Sequence, residues 1–198
     1  MTDITPPRWA DRILRLLLEP QHRESFSGDL LEEYRESIHP ARGRRRAQRW
    51  YVRQVGALAW RQNRVWGLLL GASFVGRTAV DWLMPTTQFQ VRSMVLTALS
   101  VAILLGAGFW AVRRSKSLGA GALGGLATVV VAGLVDAVGA MLLLALSHDP
   151  QTLDAIRQSG GLGEVFALPW LVAGPGIAFA SLGGLAGRAA AGSAPSRR

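Results

Sequence analysis

The sequence contains no cysteine among its 198 residues. This absence excludes disulfide bonds, thiolate ligands for zinc or iron–sulfur clusters, and a thiol nucleophile. No phosphate-binding loop, nucleophile–base set or metal-ligand cluster stands at motif spacing, so we expect no enzymatic activity, no catalytic residue, no metal and no cofactor. The first residues also lack the apolar core of a secretory signal. We therefore expect the first apolar stretch, which begins at residue 65, to act as an uncleaved signal anchor.

Polar and apolar residues are distributed unevenly along the chain. Residues 1–64 are polar and rich in arginine, whereas Ala, Gly, Leu and Val dominate residues 65–187. The mean hydropathy of +0.23 averages over these two unlike parts. The shift predicts a small helical domain at 1–63, a transmembrane domain at 64–188 and a disordered tail at 189–198.

Four apolar stretches reach the roughly 20 residues that a bilayer crossing needs. They lie at about 65–84, 94–112, 119–147 and 165–187. The predicted fold is therefore all-α: an integral membrane four-helix bundle preceded by a small cytoplasmic helical domain. Pro169 and the Gly174-Pro175-Gly176 run predict a kink in the fourth span.

Arginine and lysine are concentrated in alternate connecting segments. Residues 1–64 hold 13 of them, and the 113–118 loop and residues 188–198 hold three each. The 85–93 and 148–163 loops hold one each. The positive-inside rule then places both termini in the cytoplasm. We attribute the net charge of +9 to this bias and to anionic lipids, and we do not expect nucleic acid as a partner.

Helical spacing of apolar residues predicts three helices in the first 63 residues. The first follows Pro6-Pro7 and ends by Pro20, and the second begins at an Asp29-x-x-Glu32 capping box and ends at His39-Pro40. The third runs from about residue 44 towards residue 63. The residues of the predicted apolar faces are Trp9, Ile13, Leu16 and Leu17; Leu30, Leu31, Tyr34 and Ile38; and Ala47, Tyr51, Val55 and Leu58.

The third helix also carries an arginine stripe at spacings of four, three and four. Its members are Arg42, Arg46, Arg49 and Arg53. This stripe could face the acidic side of the second helix, lipid phosphates or a protein partner, or it could be a solvated surface. Isolated surface ion pairs contribute little free energy. A solvated surface is therefore as well supported as all of the binding alternatives together.

Three ionisable residues lie inside the predicted spans: Arg77, Asp81 and Asp136. Arg77 and Asp81 are four residues apart and share one face of their helix. Asp136 belongs to a stripe of small residues, which is how membrane helices approach closely, so we expect it to point into the bundle. We expect Arg77 to pair with Asp136, with Asp81 or with both. Such a cluster either fixes helix register or lines an ion or proton path.

The N-terminal part resembles a known module. The resembling residues are Pro6-Pro7-Arg8, Gly28-Asp29-Leu30, Glu32-Glu33-Tyr34, Trp50-Tyr51 and Arg53-Gln54. Over roughly residues 6–58 the chain is similar to the permease prefix domain, a helical module found ahead of MacB/FtsX-type permease segments in bacteria. The chain has no room for the large extracytoplasmic domain of those permeases. The resemblance implies a small stand-alone protein of the bacterial cytoplasmic (inner) membrane and no catalytic residue.

Three functions are compatible with these features. The first is an accessory or scaffold membrane protein that contacts membrane lipids and a permease-like partner of an export system, or a second copy of itself. The second is a small transporter or channel that uses Asp136, Arg77 and Asp81. The third is a membrane-anchored regulator whose arginine stripe binds nucleic acid.

Overall fold

The computed structural model describes residues 4–84, 89–146, 150, 153–154, 163, 167 and 170–192, and every element in them is helical. A 3₁₀ turn at Pro20–His22 and a π-helical turn at Tyr34–Ile38 flank the second helix. The predicted all-α class is confirmed. The helices are α1 (Arg8–Leu17), α2 (Arg23–Glu33), α3 (His39–Leu83), α4 (Phe89–Ser115), α5 (Leu118–Leu146) and α6 (Ala173–Gly192).

The N-terminal module, residues 4–63, has its own apolar core. The rings of Tyr34 and Tyr51 meet edge to face with centroids 5.8 Å apart. The Tyr51 hydroxyl donates to Asp11 Oδ1 at 3.2 Å, and burial together with the Asp11 carboxylate raises the pKa of Tyr51. The buried residues of this core are Ala10, Leu14, Leu17, Leu18, Leu30, Tyr34, Ala47, Tyr51 and Val55.

The faces and ends of the module helices differ in part from the sequence predictions. The buried stripe of α1 is rotated by one residue, so Trp9 is 55% exposed while Ala10 is buried. The capping box at Asp29 was wrong, because α2 starts at Arg23 directly after the 3₁₀ turn. The predicted stop at His39-Pro40 was also wrong. Helical backbone geometry breaks at Gly43, whose φ of 71° is one that glycine adopts without strain.

Helix α3 joins the module to the rest of the chain. It is helical from Arg44 to Leu83 without a break, so the predicted third amphipathic helix and the predicted first span form one element. The composition boundary near residue 64 therefore lies within one helix and not in a linker. Before this boundary the helix packs in the module core, and after it the helix packs in a second core. Trp60 and Trp66 lie on either side of this change.

Two helices in the described residues are long and apolar enough to cross a membrane: Gln90–Ser115 and Leu118–Leu146. The first predicted span, inside α3, is not among them, since it carries Arg77 and Asp81. The predicted fourth span and the 148–163 loop lie partly outside the described residues. Helix α6 begins at Ala173, so Pro175 sits in a first helical turn, where proline costs little.

The second half of α3 packs with α4, α5 and α6 into a four-helix bundle of alternating direction. We call these four segments the bundle. Helices α3 and α5 run parallel, since Gly67 lies against Val131 and Val75 lies against Gly139. Helices α4 and α6 also run parallel, with contacts between Leu105 and Gly183 and between Phe109 and Gly187. The two pairs oppose each other: Gly125 meets Ala180, whereas the later Val129 meets the earlier Gly176.

Small residues make the closest helix contacts of the bundle. A β-carbon added at Gly108 would meet the backbone of Ala180, and one added at Gly183 would meet the backbone of Leu105. The predicted small-residue stripe of α5 is confirmed as a packing face, because Gly125 lies against α6 and Gly139 against α3. The Gly67-x-x-x-Gly71 and Gly183-x-x-x-Gly187 spacings likewise mark contact points.

Large apolar side chains cover the outside of the bundle. Among the exposed ones in the described residues, all but Trp9, Phe26 and Trp60 lie between Val65 and Leu185. In water, a surface of this extent marks a membrane or a partner interface.

Candidate functional site

An ion-paired group lies where α3 ends and α4 begins. Arg77 Nε donates to Asp81 Oδ2 at 3.2 Å, across one turn of α3. Arg92 Nη1, from α4, lies 3.5 Å from Asp81 Oδ1. The two carboxylate oxygens of Asp81 therefore face two guanidinium groups. This arrangement balances the negative charge locally and ties the two helices together.

Arg92 also closes the end of α3. Its Nη1 donates to the backbone carbonyls of Met84 at 2.9 Å and Val80 at 3.3 Å. The carbonyls at the end of a helix carry partial negative charge, and the carbonyl of Val80 also accepts the N–H of Met84. The Arg92 cation adds a charge-assisted hydrogen bond to each of these two carbonyls. The predicted cluster did not include Arg92. The signal for it was that only a few residues separate the apolar stretches that form the end of α3 and the start of α4.

Asp136 lies apart from this pair, inside the bundle. It is 2% exposed, and its Oδ1 has no hydrogen-bond partner in the described part of the chain. Arg77 is the cation whose charge acts on it. Two turns earlier on the same face of α5, the Thr128 hydroxyl is buried and also lacks a partner. The structure thus brings Arg77 and Asp81 into contact and places Asp136 in the packed interior near them.

An apolar cleft of about 310 Å³ opens beside the ion-paired group. Arg77, Asp81 and Arg92 form its polar part. The apolar lining residues are Gly76, Val80, Val91, Val95, Leu96 and Leu99. The charges are thus held in a mainly apolar setting, where solvent screens an ion pair less than it does at a protein surface.

The arginine stripe forms an open groove on the module. Arg42, Arg46, Arg49 and Arg53 line about 510 Å³ of space together with Trp50, Gln54 and Ala57. The ion pairs found in the described residues involve none of these arginines. The acidic side of α2 is therefore not their counterpart. The groove remains a cationic surface with an aromatic ring in it.

Comparisons of the chain with protein-family models, with curated proteins and with solved structures find no match. The resemblance of the module to the permease prefix domain therefore stays a prediction. Among the residues that the structure describes, no group of three or more His, Cys, Asp or Glu side chains could hold a metal ion. The site candidates are thus the charge cluster of the bundle and the cationic groove of the module.

Proposed function

We propose that the protein is an accessory or scaffold protein of the bacterial cytoplasmic membrane, which it crosses four times with both termini in the cytoplasm. Two helices long and apolar enough to span, and the apolar exterior of the bundle, support membrane insertion. The alternating helix directions bring the start of the bundle part of α3, the α4–α5 turn and the end of α6 to one end. These are the segments rich in arginine, as the positive-inside rule requires of a cytoplasmic face.

The observation that carries the accessory role is the arginine groove. No acidic residue of the described chain lines the groove beside its four arginines. The helix that carries them packs in the module core at one end and in the bundle at the other. A rigid, exposed cationic surface at the membrane suits docking of an acidic protein face. Because the module resembles the prefix domain of permeases, we propose a component of an export system as that partner.

The test is purification in mild detergent from the native membrane, followed by identification of the proteins that co-purify. The groove variant is Arg46→Glu/Arg49→Glu. The matched control is Arg44→Glu/Arg61→Glu, which makes the same charge change on α3 outside the groove. A partner that is retained by the control and lost with the groove variant supports the proposal. Equal recovery from both variants, or recovery of no membrane protein above background, contradicts it.

Asp136 favours a second candidate function, a small transporter or channel. A carboxylate that is buried between helices and has an oxygen without a hydrogen-bond partner is the kind of group that marks ion or proton paths in membranes. Arg77 and Asp81 would then set the charge near that path. Against this role, Asp81 is already neutralised by Arg77 and Arg92, which suits a structural tie.

Flux measurements in liposomes separate the two candidates. A proton or ion flux that disappears in Asp136→Asn supports transport, provided that Thr128→Val, which removes another buried polar group from the same helix face, keeps it. Absence of flux in the unaltered protein contradicts the transport candidate.

A further inference from the structure

A second basic pocket lies where the N-terminal module meets the bundle, away from the arginine groove. Its walls are the end of α1, the start of α2, the turn between α4 and α5, and the end of α6. The open pocket has a volume of about 720 Å³, and its lining residues in the described chain include no carboxylate, although Arg15 is ion-paired with Asp11 at 3.0 Å. Its cations come from four separate segments: Arg12, Arg15, Arg23, Lys116 and Arg188.

Arg23 fastens the two sides of this pocket together. Its Nη2 donates to the carbonyl of Leu18 in the module and to the carbonyl of Ser115 at the end of α4, both at 3.4 Å. Its Nε is buried and has no hydrogen-bond partner among the described residues. The other guanidinium groups that line the pocket can give a phosphate oxygen the charge-assisted hydrogen bonds that arginine favours.

Lys116 is held in place by the backbone of the turn. Its φ of 58° lies in the left-handed region that glycine usually occupies after a helix. Its N–H donates to the carbonyl of Val112 at 2.8 Å, and the Ser115 hydroxyl accepts the N–H of Ser117 at 3.3 Å. These bonds use no atom of the lysine side chain. Glycine would fit this backbone conformation better than lysine does, and the lysine side chain adds one more cation to the pocket.

We infer that this pocket binds the headgroup of an anionic phospholipid from the cytoplasmic leaflet. The cations lie at the basic end of the bundle, where the headgroup layer meets the protein in the proposed topology, on which this inference rests. Leu118 lines the pocket, and Leu185 lies one turn before Arg188; both are exposed on the apolar exterior. Acyl chains of a lipid held by its phosphate can lie along these side chains. Basic pockets of this kind, between helices at the cytoplasmic side, suit acidic lipid headgroups.

The experiment titrates the full-length protein in mild detergent with dioleoyl-phosphatidylglycerol or dioleoyl-phosphatidylcholine and counts bound lipids by native mass spectrometry. The pocket variant is Arg12→Gln/Arg188→Gln. The control is Arg46→Gln/Arg49→Gln, which also removes two positive charges, but from the arginine groove of α3. We expect phosphatidylglycerol binding to fall about tenfold in the pocket variant and less than about twofold in the control, because each cation near the lipid phosphate adds a comparable share of the attraction.

A third variant, Lys116→Gly, separates loss of lipid binding from loss of folding. Glycine fits the left-handed position, so the thermal midpoint should stay the same or rise while lipid binding falls. Equal losses of lipid binding in the pocket and groove variants would mean that overall surface charge causes the binding, and would overturn the inference. Equal binding of the two lipids would overturn it as well. Displacement of the lipid by millimolar inorganic phosphate would identify a free-anion site instead. The membrane fraction of each variant is measured first: a chain absent from it overturns the proposed function, whereas an inserted chain without lipid preference overturns only this site.

Discussion

The N-terminal module and the bundle hold themselves together with different side chains. In the module the buried residues include two tyrosines and several leucines, and the outside is charged. The bundle also buries Leu70, Phe74 and Leu104, but its closest helix contacts run through glycine. Its leucines and valines are mostly on the outside. The two regions share the continuous helix α3, so the change occurs within a few turns of one element.

The difference is the one expected if the module is surrounded by water and the bundle by lipid, as we propose. In water, removing large apolar side chains from the surface is the main favourable term in folding. Between lipid tails that term disappears, and helices associate through close packing of small residues and through polar contacts. The module therefore has the core of a water-soluble domain. The bundle has the arrangement expected when the surroundings are themselves apolar.

The largest expected effect comes from truncating a leucine in each region. Leu14 is 0% exposed in the module core, whereas Leu134 is 55% exposed on α5. We expect Leu14→Ala to lower the free energy of unfolding of the module by about 2–5 kcal/mol, because it opens a cavity among packed side chains. Leu134→Ala should change stability by less than about 0.5 kcal/mol, as substitutions of outward-facing residues do.

Hydrogen exchange of the full-length protein in a bilayer mimetic measures both variants. Protection of module amides should fall in Leu14→Ala, and protection of bundle amides should be unchanged in Leu134→Ala. A large loss of amide protection in Leu134→Ala would mean that this face of α5 is buried against a partner or a second copy. The proposed difference in packing between the module and the bundle would then not hold for α5.

The next effect tests packing through glycine. A β-carbon at Gly108 meets the backbone of Ala180, whereas one at Gly76 meets nothing within 4 Å. We expect Gly108→Ala to destabilise the bundle by about 1–3 kcal/mol, as overpacking does. Gly76→Ala should be neutral or stabilise by up to about 1 kcal/mol, because alanine loses less backbone entropy in a helix. Thermal midpoints followed by circular dichroism compare them, and equal midpoints would contradict the close approach of α4 and α6.

The charges of the bundle give a third test. Arg77→Leu should destabilise the protein, because it removes one of the two cations paired with Asp81 and the cation whose charge acts on Asp136. Asp136→Asn should partly restore stability, giving a coupling free energy of about 1 kcal/mol in a double-mutant cycle. Arg64→Leu, which removes an exposed arginine of the same helix, serves as the control and should show no coupling. Additive effects of Arg77→Leu and Asp136→Asn would rule out their interaction.

The smallest expected effect concerns the hydrogen bond between Tyr51 and Asp11. Tyr51→Phe keeps the packed ring and removes the hydroxyl, so we expect a loss of about 1 kcal/mol. Because the pKa of Tyr51 is raised in the folded state, its share of the stability is complete below the pKa of a free tyrosine and declines above it. The difference between the two proteins in thermal midpoint should therefore be constant from neutral pH to about pH 9. A difference that grows as pH falls through this range would contradict the assignment.

Much of this fold follows from composition and period. The all-α class, the change near residue 64, the burial of Ala47, Tyr51 and Val55, and the packing face of α5 are all readable from spacing, because the surroundings of each helix select side chains at 3.6-residue intervals. The charge pair at Arg77 and Asp81 follows from i,i+4 geometry alone.

The features that the sequence did not reveal depend on tertiary contacts. The buried face of α1 turns away from Trp9 because the module packs on Ala10 and Leu14. The start of α2 is set by the preceding 3₁₀ turn, which overrides the local capping signal at Asp29. Arg92 joins the charge cluster only because α4 folds back along α3. The basic pocket combines the first two helices with the α4–α5 turn and the end of α6, which lie about 90 and 170 residues further along the sequence.

Single-cysteine labelling tests the central claim, a four-span bundle with its basic end in the cytoplasm, most directly. The chain has no native cysteine, so each introduced one is unambiguous. In intact spheroplasts, a membrane-impermeant maleimide should label Met84→Cys and Asp154→Cys at once. It should label Arg61→Cys and Arg113→Cys only after permeabilisation. Labelling of Arg61→Cys or Arg113→Cys from outside, or of all four positions alike, would contradict the topology.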